Sequence, residues 1–322
     1  MSLAGAIDAA LEASVVGSFT RVGYGVRRRL EHWGPPARLD GRVALVTGAT
    51  SGLGLAYARG LAALGARTHL VARDPARLEA VRASLVEATG NREIESWVAD
   101  LASPRAVAAL AHELAGGIAC LDVLIHNAGA IAPARALLDG VETTVAVQLL
   151  APYLLTEALR GALGAGAPGR VVLVASGGMY AEPFDLERLA GSGGPYDGVR
   201  TYARVKRAQV VLARAWAHRW PAEEVAVVAL HPGWVDTPGL ERSLPVFRRV
   251  LGPLLRRPDQ GADTGLWFAG APGAAALSGS FLFDRRPRAT ERLARTRSLD
   301  PRGDEERLLG WLGGLAAGPG GR

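Results

Sequence analysis

Lysine is nearly missing from this chain: of 37 basic side chains, 36 are arginine and one is Lys206. Cysteine is as scarce, with Cys120 alone, which excludes an internal disulfide framework and suits a reducing compartment. Cys120 precedes a predicted buried strand and reads as a core or near-core thiol. Aromatic residues make up 6% and do not interleave with the arginines. With no nucleic-acid motif beside them, this argues against a nucleic-acid partner. The six histidines are scattered and lack metal-ligand spacing, so no metal site is expected. No stretch reaches the ~18 apolar residues of a membrane-spanning helix. The early basic region, apolar core and small-residue cleavage site of a secretory signal are missing too. A cytoplasmic protein is expected, with ample apolar content for a sizeable core.

The net charge is +6, and the excess gathers late: residues 236–322 hold 14 basic against 10 acidic side chains. Arg248, Arg249, Arg256, Arg257 and the arginines of residues 285–297 carry it. They read either as a solvated face or as a contact for an anionic partner, such as a phosphate-bearing cofactor, an acidic substrate or a membrane surface.

Between residues 41 and 283, short β-branched runs alternate with helical segments. Strands are predicted at 43–46, 68–71, 94–98, 123–125, 171–174, 225–230 and 278–283. Helices are predicted at 53–64, 75–88, from about 103, at 140–163 and at 202–219. Strands this apolar, separated by helices, predict a doubly wound α/β fold, a parallel sheet covered on both faces. Ahead of it, Ile7, Leu11, Val15, Phe19, Val22, Val26, Leu30 and Trp33 recur at steps of three and four, an amphipathic helical stripe. Gly17, Gly23 and Gly25 weaken it. The stripe would pack on the domain or on a second subunit, or lie on a membrane surface through residues 1–33. The division expected is an N-terminal extension (1–40), a dinucleotide-binding and catalytic domain (41–285) and a C-terminal extension (286–322) with a disordered tail.

Directly after the first strand stands Thr47-Gly48-Ala49-Thr50-Ser51-Gly52-Leu53-Gly54. Glycines suit a backbone that must turn sharply and approach a pyrophosphate, while the following helix offers its N-terminal amides to the phosphate charge. The end of the second strand separates the two nicotinamide cofactors. An acidic residue there would hold a free ribose 2′-hydroxyl. This chain has Ala72 and then Arg73, which suits a 2′-phosphate and favours NADP over NAD, with NAD still possible. Asp74 reads as the cap of the helix from Pro75. Asp100-Leu101 is placed to reach the adenine edge, with helix capping as the alternative.

Lys206 lies four residues after Tyr202, so phenol and ammonium leave one helical face side by side. A cation there favours phenolate, lowering a pKa that starts near ~10 towards the range of an acid/base catalyst. The ammonium is a compact point charge where a guanidinium is a planar fork.

The glycine turn, His126-Asn127-Ala128-Gly129, Ser176 and the Tyr202/Lys206 pair stand in the order of a short-chain dehydrogenase/reductase. The chain resembles that family over residues 41–283. Ser176-Gly177-Gly178-Met179, the segment 231–239, Gln260 to Thr264 and Asp284-Arg285 resemble one branch of it in particular. The resemblance implies a Rossmann-like fold in which Tyr202 is the acid/base, Ser176 holds the substrate oxygen and Lys206 holds the nicotinamide ribose. It also implies a cofactor groove lined by Gly48, Thr50, Ser51, Gly52, Leu53, Gly54, Asn127, Ala128 and Gly129. Pro232, Gly233, Val235 and Thr237 would flank it, with Thr237 at the carboxamide. A homo-oligomer is implied as well.

One position departs from the family. Where it normally has an asparagine that organises a water in the proton path behind the lysine, this chain has Gln148. Glutamine keeps the amide but displaces it by a methylene, so a weaker proton relay is expected unless the backbone adjusts. His126, in place of another asparagine, reads as a core histidine. On the substrate side, residues 180–199 form a glycine- and proline-rich insert expected over the pocket. Leu240, Leu244, Phe247, Val250, Leu251, Leu254 and Leu255 recur at helical steps as a lid. The expected function is an NADP-dependent oxidoreductase acting on an alcohol or carbonyl, with a hydrophobic one expected; the alternative is a catalytically weak dinucleotide-binding scaffold or sensor.

Overall fold

Strand β1 (Val43–Thr47) sits in the middle of a parallel sheet, paired on one side with β2 (Arg67–Ala72) and on the other with β4 (Val123–His126). The computed structural model describes residues 3–191 and 195–318. Part of the expected insert (192–194) and most of the expected disordered tail (319–322) lie outside them. With β3 (Ile94–Val98), β5 (Gly169–Val174), β6 (Val225–Leu230), β7 (Phe281–Phe283) and β8 (Arg286–Pro287), the order across the sheet is β8-β7-β6-β5-β4-β1-β2-β3. Only the β7–β8 edge is antiparallel. The order reverses direction between β1 and β4, and the crevice at their carboxyl ends is where such sheets bind ligands.

Alternation along each strand fills two cores. Leu45 faces α6 (Pro104–Gly117) together with Leu110 and Leu114, whereas Ala44 and Val46 face α4 (Gly52–Ala63) together with Tyr57 and Leu61. In β6, Val227 and Ala229 join the first core and Val228 and Leu230 the second. Helix α5 (Pro75–Thr89) begins where Asp74 accepts from the Arg77 amide at 3.0 Å and ends at Gly90 with φ +71°. Asp74 is thus the expected cap. Ser103, and not Asp100, caps α6.

The long helix expected at 140–163 is shorter and broken. It runs as Thr143–Val145, a wide π turn at Ala146–Leu150, and Ala151–Ala158, together α7. Helix α8 (Gly198–Arg219) starts four residues earlier than expected, because Asp197 accepts from the amides of Val199 and Arg200. The segment expected as a lid is two short helices, α9 (Pro238–Ser243) and α10 (Pro245–Leu251), so Val250 faces outward instead of joining one apolar stripe. Helix α11 (Pro258–Gly270) packs on α4, and α12 (Pro301–Ala317) lies on α8 with Leu308 and Leu312 fully buried. Each such leucine stabilises by about 1.5–3 kcal/mol. Cys120 is half-exposed, outside the cores.

The N-terminal stripe is three helices: α1 (Leu3–Ala13), α2 (Val15–Phe19) and α3 (Arg21–Leu30). Ser14 caps α2 and Thr20 breaks into α3, so a single apolar face cannot form. Instead Phe19 packs edge-on against His231 and Phe283, and its carbonyl accepts from the Trp234 amide at 2.8 Å. Arg27, fully buried, donates to Asp8, Glu12 and Asp284, each at 2.7 Å, and Arg256 reaches Asp284 at 2.6 Å. Part of the late arginine excess is therefore taken up in ion pairs: Arg285 pairs with Asp263, Arg286 with Glu31, Arg288 with Asp8 and Arg292 with Glu12, while Arg249, Arg257, Arg295 and Arg297 stay exposed. The paired side chains fasten the extension to the sheet edge, which corrects their reading as an open contact for an anion. No helix among the described residues is long and apolar enough to cross a membrane.

Candidate active site

Thr47, at the end of β1, organises the glycine turn. Its Oγ1 accepts from the amides of Asn127 at 3.1 Å and Ala128 at 3.2 Å, tying β1 to the segment after β4. Asn127 returns the link by donating Nδ2 to the Thr47 carbonyl at 3.1 Å. Gly48 and Gly52 hold φ of +68° and +50°, and a Cβ on Gly54 would sit 2.1 Å from the Gly48 carbonyl oxygen. The turn therefore closes only on glycine. Ser51 precedes α4 without a side-chain capping bond, which leaves the first amides of that helix for a phosphate. Arg73, exposed at the end of β2, has no ion-pair partner among the described residues. A guanidinium open to solvent beside this turn fits a 2′-phosphate.

Other expected groove residues do different work. Leu101 is buried in the first core. Leu53 and Val235 crowd Gly261 of α11. The Asp100 carboxylate accepts from the Ala102 amide, a local turn. Gly233, φ +82°, is needed because a Cβ would lie 2.3 Å from Arg256 Nε, and the Pro232 carbonyl also accepts from Arg256. The space beside Gly129 belongs to Gln148, whose Oε1 would be 2.6 Å from a Cβ there. Thr237 does come to the glycine turn, 3.1 Å from the place of a Cβ on Gly52, while its Oγ1 caps α9. Thr50 is half-buried in the turn.

At the carboxyl end of β5, Ser176 stands in extended backbone and its Oγ accepts from the Gly178 amide at 3.2 Å. The amide of Gly177 donates to His231 Nδ1 at 3.0 Å, so His231 holds the serine loop. Tyr202 comes from α8, half-buried, with Ser176 close enough to lower its phenol. Lys206 Nζ lies 5.2 Å from the centroid of the Tyr202 ring and donates to the Val174 carbonyl at 2.7 Å and to Gln209 Oε1 at 3.0 Å.

The electrostatics differ from expectation. Burial pushes the Tyr202 phenol up, against the lowering effect of the neighbouring Ser176. Burial lowers the Lys206 ammonium to about 7. An ammonium packed against a carbonyl and an amide is desolvated without a compensating anion, so it loses charge instead of imposing it on its neighbour. His126 is the buried core histidine expected, 2.7 Å from Thr156 Oγ1 and lowered to about 3.

Gln148 keeps its amide in use because the backbone widens. In the π turn its Nε2 donates to the Ala130 carbonyl at 3.1 Å, while its buried Oε1 has no partner among the described residues. Thr47, His231 and Gln209 went unrecognised in the sequence. Gln209 alone had a legible signal, its place three residues after Lys206 on the same helical face.

A parallel sheet with a glycine turn after β1 and a serine–tyrosine–lysine cluster across β5 and α8 defines a class of dinucleotide-dependent proteins. The family model for short chain dehydrogenases matches residues 42–245, and the chain belongs to that family. It is 40% identical over 282 residues to dehydrogenase/reductase SDR family member 12 of Bos taurus, covering 87% of each chain. It is 34% identical over 302 residues to retinol dehydrogenase 14 of Mus musculus, covering 88% of this chain and 90% of that one. Among solved structures, a short chain dehydrogenase from Burkholderia cenocepacia in complex with NADP is similar, with a TM-score of 0.61 and 28% identity. That match covers 76% of this chain and 96% of the other.

Proposed function

We propose that this chain is an NADP-dependent oxidoreductase that interconverts an alcohol and a carbonyl, with a hydrophobic substrate. The observation that carries the reading is Lys206 Nζ 5.2 Å from the centroid of the Tyr202 ring, with Ser176 close enough to lower the same phenol. The partnerless Arg73 supports the 2′-phosphate, as does the NADP bound by the Burkholderia relative. The relative named for retinol, a long apolar alcohol, supports a hydrophobic substrate.

In this reading Gly48, Gly52 and Gly54 let the backbone reach the pyrophosphate and Arg73 takes the 2′-phosphate. Asn127, Ala128 and Thr237 wall the groove. The bound nicotinamide supplies or accepts the hydride. In the reducing direction Ser176 holds the carbonyl oxygen and Tyr202 gives that oxygen its proton. Oxidation reverses both roles. Lys206 anchors the ribose. Proton transfer from a positioned group of this kind contributes about 10²–10⁴ in rate.

Purified protein with NADPH and a panel of hydrophobic aldehydes and ketones tests the reading, with Tyr202→Phe as control. Turnover that the control abolishes is expected. Tight NADPH binding without turnover on any member, unchanged by Gln148→Asn, would instead favour the scaffold.

A second feature bears on where the enzyme works. Arg21, Val22, Val26, Arg28, Arg29 and Trp33, with Gln260 of α11, line an open groove of about 710 Å³ along α3, and Val15 and Val16 are exposed on α2. Arginines mixed with exposed valines and a tryptophan suit an anionic membrane surface. Co-sedimentation with anionic and neutral liposomes checks this: pelleting with anionic vesicles alone, lost in Arg21→Glu/Arg28→Glu/Arg29→Glu, is expected. A homo-oligomer also belongs to the reading, and light scattering on the purified chain tests it.

A further inference from the structure

Four residues after Gln148 stands Pro152, which has no backbone N–H. The Gln148 carbonyl therefore gets no donor from the ordinary helical position, in a turn where the i→i+4 ladder is already interrupted. Gln209 supplies one from across the fold: its Nε2 donates to that carbonyl at 2.7 Å. The other end of the same amide, Oε1, accepts from Lys206 Nζ at 3.0 Å. Gln209 is only 1% exposed. An ammonium only donates and a carbonyl only accepts, so the two neighbours together dictate which way round the amide lies.

We infer that Gln209 is a positioning residue for the proposed reaction: its amide bridges the chain's one lysine to the carbonyl freed by Pro152, holds that lysine beside Tyr202 and sets its proton affinity. A water at this place would bend, exchange and pass protons. A side-chain amide does none of these without leaving its tautomer, so the path behind the lysine ends at a rigid link. Few other groups compete for control of Lys206. The titratable side chain facing it is Tyr202 on its own helix, β5 presents the Val174 carbonyl, and α7 presents Gln148 through Gln209. No charged neighbour contributes to the lowered proton affinity of Lys206.

The inference takes Lys206 as part of the site proposed above, but its test needs neither cofactor nor substrate, so an enzyme silent on every substrate tried still decides it. Because the sequence has a single lysine, lysine-selective ¹³C and ¹⁵N labelling gives one side-chain resonance that reports its protonation directly. Titrations compare the parent chain with Gln209→Glu and Gln209→Leu. A carboxylate at hydrogen-bond distance favours the ammonium, so Gln209→Glu is expected to raise the midpoint by at least about one pH unit. Gln209→Leu removes an acceptor and is expected to lower it. Midpoints in both variants that agree with the parent within the error of the titration overturn the inference. If the leucine variant does not fold, the glutamate variant, equal in size, decides alone.

Discussion

Lys206 is enclosed on the side away from solvent by a strand carbonyl and a helix amide, each within 3.0 Å of its nitrogen. That space takes a compact ammonium and would not take the wide fork of a guanidinium, which gives a physical reason for one lysine among 36 arginines. Arg73 is the opposite case, an exposed guanidinium with no ion-pair partner among the described residues, proposed above to take the 2′-phosphate. Removing it with Arg73→Ser deletes a charge-assisted bond of about 1.5–3 kcal/mol. NADPH affinity should fall about 10- to 100-fold while NADH affinity stays nearly constant, as read by fluorescence titration. Equal loss for both cofactors would mean that Arg73 does not read the 2′-phosphate.

At the scale of elements, two irregularities shape the site. The π turn in α7 lets Gln148 reach the Ala130 carbonyl, and the glycine turn lets α4 meet β1 at backbone contact. Gly54→Ala drives a Cβ against the Gly48 carbonyl oxygen, so the turn must open and withdraw its amides. NADPH binding is expected to weaken at least about tenfold, the loss of one or more hydrogen bonds to a charged phosphate. Normal binding by that variant in isothermal calorimetry would show that the close approach is not required. Strands β1, β5 and β6 were legible because each carries an apolar run rich in β-branched residues; the helix breaks were not, because a π turn and a Thr20 break depend on what the neighbouring elements offer.

For the molecule as a whole, the extension and the sheet edge are joined through Asp284, a buried carboxylate between two arginines with φ +52°. Burial pushes this carboxyl up, and the Arg256 and Arg27 guanidiniums outweigh it and hold it below the usual range. Asp284→Asn leaves Arg256 without its anion and Arg27 with only Asp8 and Glu12, and is expected to cost about 3–5 kcal/mol, seen as a lower urea midpoint and faster proteolysis within α1 to α3. An unchanged midpoint would mean the cluster contributes nothing net.

The pH dependence of stability follows from groups buried in their neutral form. Lys206 is lowered from 10.5 to about 7, so the folded chain binds fewer protons than the unfolded one across that window. Burial lowers His126, and burial with Arg256 lowers His231, each from 6.5 to about 3, extending the same imbalance to acid. Stability therefore rises with pH through both windows, and urea midpoints should increase from pH 5 to 7 to 9. A decrease between pH 7 and 9, or a flat profile from 5 to 7, would contradict these assignments.

Local pattern was enough for most of the strands, the glycine turn, the Tyr202/Lys206 face and the Asp74 cap of α5, since each depends on residues within a few positions of one another. The assignment of the late arginines, the enclosure that takes charge from Lys206 and the pairing of Gln209 with Gln148 needed the tertiary fold. They depend on contacts between segments as much as 280 residues apart, and on how far packing excludes water from them, which no stretch of sequence records.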